Sequence, residues 1–359
     1  MRICLIGNAK AVHLQRWATA YVAAGHEVHI VSIRSHAVES ATMHTRHVGP
    51  LNSGSAVWTS LSYLWLAAVV RRLVRRIDPD VVHAQYVTTS GVMARLTGNE
   101  HVVLTAWGSD VIPRSGTTHN VIIRSLNRWA LEGAQRVTSA SSFMLDRITS
   151  TYGISDVALV PFGVDTDLFA PHDTLHDGPL RLGIVKSLNR KYGIEYAISS
   201  LAIVKESLPD ASLTVVGTGP LLSDLQEHAR TSGVEDSVHF VGLVPHDDVP
   251  AMLREFDIFL NTSVVAESFG VAILEAGACG IAVVATDVGG VSETCLPGTS
   301  ALLVQPGDAR ALADAVSTLD DADLRRKFGQ AGRAFVEHRF TWDHSVETMM
   351  RILEDVKRP

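Results

Sequence analysis

Cysteine is scarce. The 359 residues hold three, Cys4, Cys279 and Cys295, each in apolar surroundings and without paired spacing. That argues against a disulfide framework and fits reduced packing residues of a cytosolic protein. Charge is modest at 19% and aromatics stand at 6%, while apolar residues reach 46%, so a large core is expected and disorder is not. Long apolar runs are missing too. The longest, Val57 to Val70, is broken by Thr59, Ser60 and Ser62 and is too short to cross a bilayer. After Met1-Arg2 only five apolar or small residues precede Asn8, so no signal peptide is expected. A Gly-x-Gly-x-x-Gly fingerprint is absent, which argues against a nicotinamide dehydrogenase. With no basic stripe and no recognised module, no nucleic-acid partner is expected.

What is present is a βαβ pattern that starts twice. Ile3 to Gly7 reads as a strand, Val12 to Ala24 as a helix stopped by Gly25, and Glu27 to Ile33 as the next strand. Val81 to Ala84 and Val102 to Thr105 continue the series. A cluster of His, Asp, Gly and Pro from Pro171 to Pro179 marks a boundary. The pattern then restarts with a strand at Leu180 to Val185 and a helix at Tyr192 to Glu206. The chain therefore reads as two α/β domains, 1–170 and 171–340, with a last helix near 341–359. The net charge of −7 is uneven: residues 1–170 carry 15 Lys+Arg against 11 Asp+Glu, and the remainder 16 against 27. The mildly basic first half suits an anionic membrane or acceptor. Within it, Ala56 to Ile77 reads as a helix with Trp58, Tyr63 and Trp65 on an apolar part and Arg71, Arg72, Arg75 and Arg76 at its end. It is either core packing with a solvated basic end or an interfacial helix on anionic lipid.

The chemistry concentrates in the second half. After the apolar run ending in Asn261-Thr262-Ser263 comes Glu267-Ser-Phe-Gly-Val-Ala-Ile-Leu-Glu275. The pattern reads as strand, loop, and a helix whose first turn holds Ser268 to Val271, where free N–H groups suit a phosphate. A carboxylate there makes sense if Glu267 accepts hydrogen bonds from the neutral polyol carried by that phosphate. At ~100° per residue, Glu275 lies within about 80° of Glu267 and roughly 12 Å further along, about the sugar-to-ribose span of a nucleotide sugar. An N-terminal-turn Glu followed by an exposed helix Glu has the same spacing. Upstream, Lys186 and Lys191 flank Ser187 to Arg190 in a strand-to-helix loop, as a diphosphate clamp or as solvated lysines. Gly217-Thr218-Gly219 offers bare backbone for close approach of a ligand.

Glu, seven residues, Glu resembles the signature of the retaining family 4 glycosyltransferases. The ordered matches run along nearly the whole chain: Gly7 to Trp17, a strand ending in His83, the Gly108-Ser109-Asp110 turn, Lys186 with Lys191-Tyr192-Gly193, Val238 to Leu243, and Gly289-Gly290-x-x-Glu293. The resemblance implies a GT-B fold, two facing Rossmann-like doubly wound domains with a cleft between them, and a last helix crossing back onto the first domain. It implies a metal-independent transferase using a UDP- or GDP-sugar and no further cofactor. On that reading Lys186, Lys191 and Glu267 carry the chemistry. Gly7, Gly217, Gly219, Leu243, Ser268, Phe269, Gly270, Val271 and Glu275 contact the donor, and Asn8, His13, His83, Trp107 and Asp110 lie on the acceptor side. Trp107 stands where many members carry His, so no sugar-contacting His is carried over there. The acceptor implied is a glycan or lipid-linked glycan, and the place the cytoplasm or the inner face of the membrane. An epimerase or hydrolase of the same fold and a non-catalytic sugar-nucleotide binder are the alternatives. The triplets Asp78-Pro79-Asp80 and Asp165-Thr166-Asp167 read as a turn and a helix cap, so no metal site is expected.

Overall fold

Short strands rich in apolar residues build two parallel sheets. The computed structural model describes residues 1–32, 37–38, 41–45, 56–112, 121–171 and 178–358, without the side chains of Thr45 and residues 56–64. The chain divides into two compact units, Met1–Pro161 with Val346–Pro359, and Phe162–Ser345.

In the first unit the strands are β1 (Arg2–Ile6), β2 (Glu27–Ser32), β3 (Thr42–Thr45), β4 (Val81–Gln85), β5 (Val102–Thr105), β6 (Arg136–Ser139) and β7 (Val157–Leu159). They lie in the order β3-β2-β1-β4-β5-β6-β7, every neighbour parallel. All five residues of β4 are buried, as expected of a central strand covered on both faces. From β1 the chain runs outward on one side and returns to β4 on the other, so the β1/β4 carboxyl edge is a topological switch point. The helix Val12–Ala23 buries Leu14, Trp17, Ala18 and Tyr21, spaced to form one face, and Gly25 with φ 81 ends it. Ile33, the expected end of the second strand, lies outside the described residues.

The second unit holds β8 (Arg181–Val185), β9 (Ser212–Val216), β10 (Val238–Gly242), β11 (Ile258–Asn261), β12 (Ala282–Thr286) and β13 (Ala301–Val304). Their order, β10-β9-β8-β11-β12-β13, is again wholly parallel and reverses between β8 and β11. Two Rossmann-like parallel α/β units are therefore in place. The break between them follows Pro161 rather than residue 170. Hydrogen bonds explain the shift: Val164 N donates to Phe340 O and Trp342 N to Val164 O, both at 2.8 Å, and Arg333 reaches the carbonyls of Thr166 and Phe169 at 3.0 and 2.7 Å. Residues 172–177 of the expected boundary lie outside the described residues. The last helix, Trp342–Val356, enters the first unit from Val346 on, where His101 Nδ1 donates to Val356 O at 2.9 Å.

In the Asp triplets Asp78 pairs with the Arg358 guanidinium at 3.0 Å, and one carboxylate of each triplet serves the backbone. Asp80 accepts from Arg2 N at 2.6 Å, and Asp165 accepts from Asp167 N and Leu168 N at 3.1 and 3.0 Å. In the basic helix, Ala56–Ile77, residues Leu66, Ala67, Val70, Val74 and Ile77 are buried while Arg71, Arg72, Arg75 and Arg76 are exposed. From Leu66 on, that helix is core packing with a solvated cationic face; Trp58 and Tyr63 lie outside the described side chains.

His83 corrects an expectation. As the third residue of the central strand it is fully buried, held by Tyr21 Oη at 2.9 Å and Thr105 Oγ1 at 2.8 Å. Thr105 passes the chain on to Thr138 at 2.7 Å. No acceptor reaches it. Burial pushes its pKa down to about 3, so the imidazole stays neutral in the fold. Its folded value lies below its unfolded one, so it costs no stability above about pH 6.5 and destabilises progressively as pH falls from there toward 3. Thermal unfolding should show this: His83→Gln should lose stability at neutral pH yet fall less steeply than wild type between pH 6 and 4, by up to roughly 1.4 kcal/mol per pH unit. Parallel pH profiles would show that His83 is not the group being titrated.

Candidate active site

The second unit gathers its polar groups where β8 and β11 end. Lys186 follows β8, and its ammonium lies 2.9 and 3.0 Å from the two carboxylate oxygens of Glu267, both side chains about 12% exposed. Asn261, the last residue of β11, donates to Glu267 Oε1 at 3.1 Å, and Ser263 Oγ donates to the same atom. Burial works to raise the Glu267 pKa, but the Lys186 charge and the hydrogen bonds from Ser263, Lys186 and Asn261 outweigh it and hold the carboxyl below its usual range. Thr286 on β12 fixes the loop from the other side, donating to Ser263 O at 2.6 Å. Lys191 sits in a single turn, Arg190–Tyr192, its ammonium 4.5 Å from the centre of the Tyr192 ring, with Lys186 at 4.9 Å from the same ring. The structure thus brings together Lys186, Lys191 and Glu267, and adds Asn261 and Ser263. Their only sequence signal was the polar ending of an otherwise apolar strand.

Two expectations about this segment need correction. The helix begins at Val271, with Gly270 as its N-cap, so Ser268 and Phe269 precede it. Glu267 lies in an isolated bridge to Gly289, and its carbonyl accepts from Gly290 N at 2.9 Å. Helical angles therefore do not relate Glu267 to Glu275. Tertiary pairing with the 287–290 loop sets its place, and Gly289 permits it: φ is +61, and a Cβ would stand 2.3 Å from Glu267 O. The glycines 217 and 219 also serve the loop itself. A Cβ on Gly217 would meet Lys186 O at 1.9 Å and one on Gly219 Leu188 O at 2.4 Å, so their bare faces are filled by protein backbone rather than by a ligand.

Phe269 is buried against Phe340 and Phe162, with ring centres 5.7 and 6.4 Å away, and offers backbone only. Leu243, by contrast, is 80% exposed just beyond β10. Glu275 is buried in the helix Val271–Ala278, and His246 Nε2 stands 4.0 Å from its Oε1. All three cysteines are buried free thiols pushed up to about 12 by burial. Among the described residues, no group of three or more His, Cys, Asp or Glu is arranged to hold a metal.

In the first unit, Gly7 ends the β1 edge under Leu14, whose Cδ1 would be 2.3 Å from an added Cβ. Exposed Asn8 follows, and the His13 ring packs edge-on against Trp107 at 4.7 Å. Asp110 is a second correction. It is 1% exposed and accepts from Val87 N at 2.7 Å, Gly108 N at 2.8 Å and Trp107 N at 3.1 Å. Burial raises its pKa against the pull of these amides. Its carboxylate ties the β4 and β5 ends together and is not available to an acceptor. Between the β1, β4 and β5 ends opens a cavity of about 270 Å³ bounded by Asn8, Tyr86 and Trp107.

Two parallel α/β units in one chain, each with a polar constellation at its switch point, define the GT-B architecture of nucleotide-sugar glycosyltransferases. The comparisons agree. Residues 169–335 match the family Glycosyl transferases group 1, and residues 2–141 match Glycosyl transferase 4-like. The GDP-mannose-dependent alpha-(1-6)-phosphatidylinositol monomannoside mannosyltransferase of Mycolicibacterium smegmatis is 32% identical over 300 residues, 77% of each chain. In fold, the chain is similar to sucrose-phosphate synthase from Thermosynechococcus elongatus, with a TM-score of 0.85 at 22% identity over 99% of both chains. It is also similar to Anabaena Alr3699/HepE in complex with UDP, with a TM-score of 0.81 at 18% identity over 99% of this chain and 100% of that one. The chain belongs to the glycosyl transferases group 1 family and is a glycosyltransferase.

The Lys186–Glu267 pair is testable by a double-mutant cycle. Lys186→Met leaves a buried carboxylate without its cation and should destabilise by about 3–5 kcal/mol. Adding Glu267→Gln should restore much of that stability without restoring activity. Additive losses in calorimetric unfolding would show that the two side chains do not depend on each other.

Proposed function

We propose that the enzyme is a retaining, metal-independent hexosyltransferase that moves a sugar from a UDP- or GDP-sugar to a hydroxyl of a glycan or lipid-linked acceptor. The observation that carries this reading is the locked Lys186–Glu267 pair beside Lys191 and the Val271 helix start. Breaking the anomeric C–O bond sends its electron pair to the departing diphosphate. Fixed positive potential stabilises that charge, and Lys191 with the first amides of the Val271 helix supplies it. Glu267, held ionised, repels phosphate and suits the sugar hydroxyls, while Lys186 neutralises and aims it. Glu275 then takes the ribose, and the exposed end of β10 at Leu243 the base. The acceptor oxygen attacks the same face and its proton passes to the leaving phosphate, so no protein base is needed. Asp80 and Asp165 each accept from backbone and Asp78 pairs with Arg358, which supports the metal-independent reading.

Donor turnover tests this. In a panel of UDP- and GDP-sugars, one donor should raise the melting temperature and be consumed with acceptor in the presence of EDTA. Lys191→Ala should cut kcat by a factor equivalent to about 2–4 kcal/mol. A hydrolase or epimerase would instead consume donor without acceptor, and an unchanged kcat/KM in Lys191→Ala would reject the clamp.

A membrane-bound acceptor is the finer part of the proposal, supported by the lipid named for the mycobacterial relative and by two faces of the first unit. The helix Val121–Glu132 exposes Val121, Ile122, Leu126 and Trp129 at 79, 63, 42 and 37%, beside exposed Arg124 and Arg128. The arginines Arg71, Arg72, Arg75 and Arg76 add a second cationic face, each worth about 1 kcal/mol at an anionic surface. This suits attachment at the cytoplasmic face of a membrane. Changing those four arginines to Gln should weaken binding to anionic vesicles and activity on lipid acceptors while sparing donor affinity. Wild type that ignores such vesicles at low salt would point to a soluble acceptor.

A further inference from the structure

We propose that Tyr192 is a positioning residue for the transfer: its ring, shared by the Lys186 and Lys191 ammoniums, holds Lys191 in place for the departing diphosphate without neutralising it. The proposal rests on the glycosyltransferase reading above and adds to it a residue that acts through Lys191.

Lys191 needs a holder. It is exposed in the middle of the single turn Arg190–Tyr192, and among the described residues no carboxylate pairs with its ammonium. A lysine without a partner keeps many rotamers, and freezing one as charge develops subtracts from the stabilisation it can give. The Tyr192 ring is the partner. Its centre lies 4.5 Å from Lys191 Nζ and 4.9 Å from Lys186 Nζ, both inside the ~6 Å range of a cation–π contact. The two lysines differ in what else they hold, for Lys186 is also closed onto the Glu267 carboxylate at 2.9 Å. A carboxylate in place of the ring would fix Lys191 as well, but it would cancel the charge that the leaving group needs. An aromatic face attracts an ammonium through its quadrupole and leaves the net charge whole.

The ring is itself held. Tyr192 is partly buried and packs against the hydrophobic core of the second unit. Its carbonyl accepts from Thr262 Oγ1 at 2.8 Å, and the carbonyl of Lys191 accepts from Val264 N at 3.0 Å. Gly193 lets the turn come this close: its φ is +57, and a Cβ would stand 2.3 Å from Thr262 O. Turn and 261–264 loop are thus stapled together, and Ser263 in that loop donates to Glu267. The ring therefore stands in a fixed relation to the Glu267 carboxylate as well as to both lysines. The Tyr192 hydroxyl has no partner among the described residues, so within the fold the residue serves through its face.

Ring fluorination tests this, because successive fluorines on a phenylalanine drain the aromatic face while changing its size little. The readouts are turnover of an identified donor and calorimetric binding of UDP and GDP, both on the full chain. Tyr192→Leu should cut kcat by about three- to thirtyfold, the span of one cation–π contact, with the donor KM changed less. Tyr192→Phe should restore most of that loss. One, two and three fluorines on the Tyr192→Phe ring should then lower kcat, and affinity for whichever nucleotide binds, step by step at a constant melting temperature. In a Lys191→Ala background the series should be nearly flat, since the ring acts through that ammonium. A flat series with Lys191 present would overturn the proposal and leave Tyr192 as packing. So would a Tyr192→Phe as poor as Tyr192→Leu, which would assign the role to the hydroxyl, or losses that add fully to those of Lys191→Ala. Failure of wild type to turn over any donor would reject the transferase reading, while the nucleotide-binding series would still decide the role of the ring. Wild type that turns over no donor and binds neither nucleotide would overturn both.

Discussion

A buried carboxylate with its cation is the constraint on which the second unit's edge depends. Glu267 cannot sit ionised in that position without Lys186, Asn261 and Ser263, and those residues end β8 and β11, the two strands where the connectivity reverses. The 261–267 loop, the Lys186–Leu188 loop and the 287–290 loop are all fitted to this one group. Close backbone approach makes the fit possible. Gly217 and Gly219 admit the carbonyls of Lys186 and Leu188, and Gly289 admits the Glu267 backbone. A methyl group at Gly217 or Gly289 would press on the backbone of Lys186 or Glu267.

On the proposed reading, the same charge arrangement lets a phosphate and a carboxylate share one ligand site. Lys186 is committed to Glu267, so the pair presents little net charge toward a sugar. Lys191 rests on the Tyr192 ring and keeps its charge available for an anion. Each role follows from what the neighbouring side chain already neutralises, and neither is visible in the spacing of the two lysines.

The first unit's carboxyl edge is held by buried hydrogen bonds. Two of its buried polar networks are Tyr21–His83–Thr105–Thr138 through the sheet, and Asp110 with the amides of Val87, Trp107 and Gly108. Both hold the loops of the carboxyl edge, where Asn8, Gln85 and Trp107 border a cavity. His83 and Asp110 drew attention as reactive residue types. Burial turned them into supports, because a group with every lone pair and proton engaged inside the sheet has nothing left for a substrate.

By itself the sequence determined the repeated βαβ pattern, the parallel sheets and the ordered motifs, because apolar runs, helix periodicity and glycine stops are local properties. It also singled out Lys186, Lys191 and Glu267, since charged residues at strand ends are conspicuous. Only the tertiary structure decided what each one touches. Glu267 lies outside the helix it seemed to begin, because pairing with Gly289 across the sequence overrides local helical spacing. The partners Asn261 and Ser263, the positive φ of Tyr86 and the Gln85 amide, unpaired among the described residues, were likewise settled by strands far apart in sequence, whose ends meet only when the sheets form.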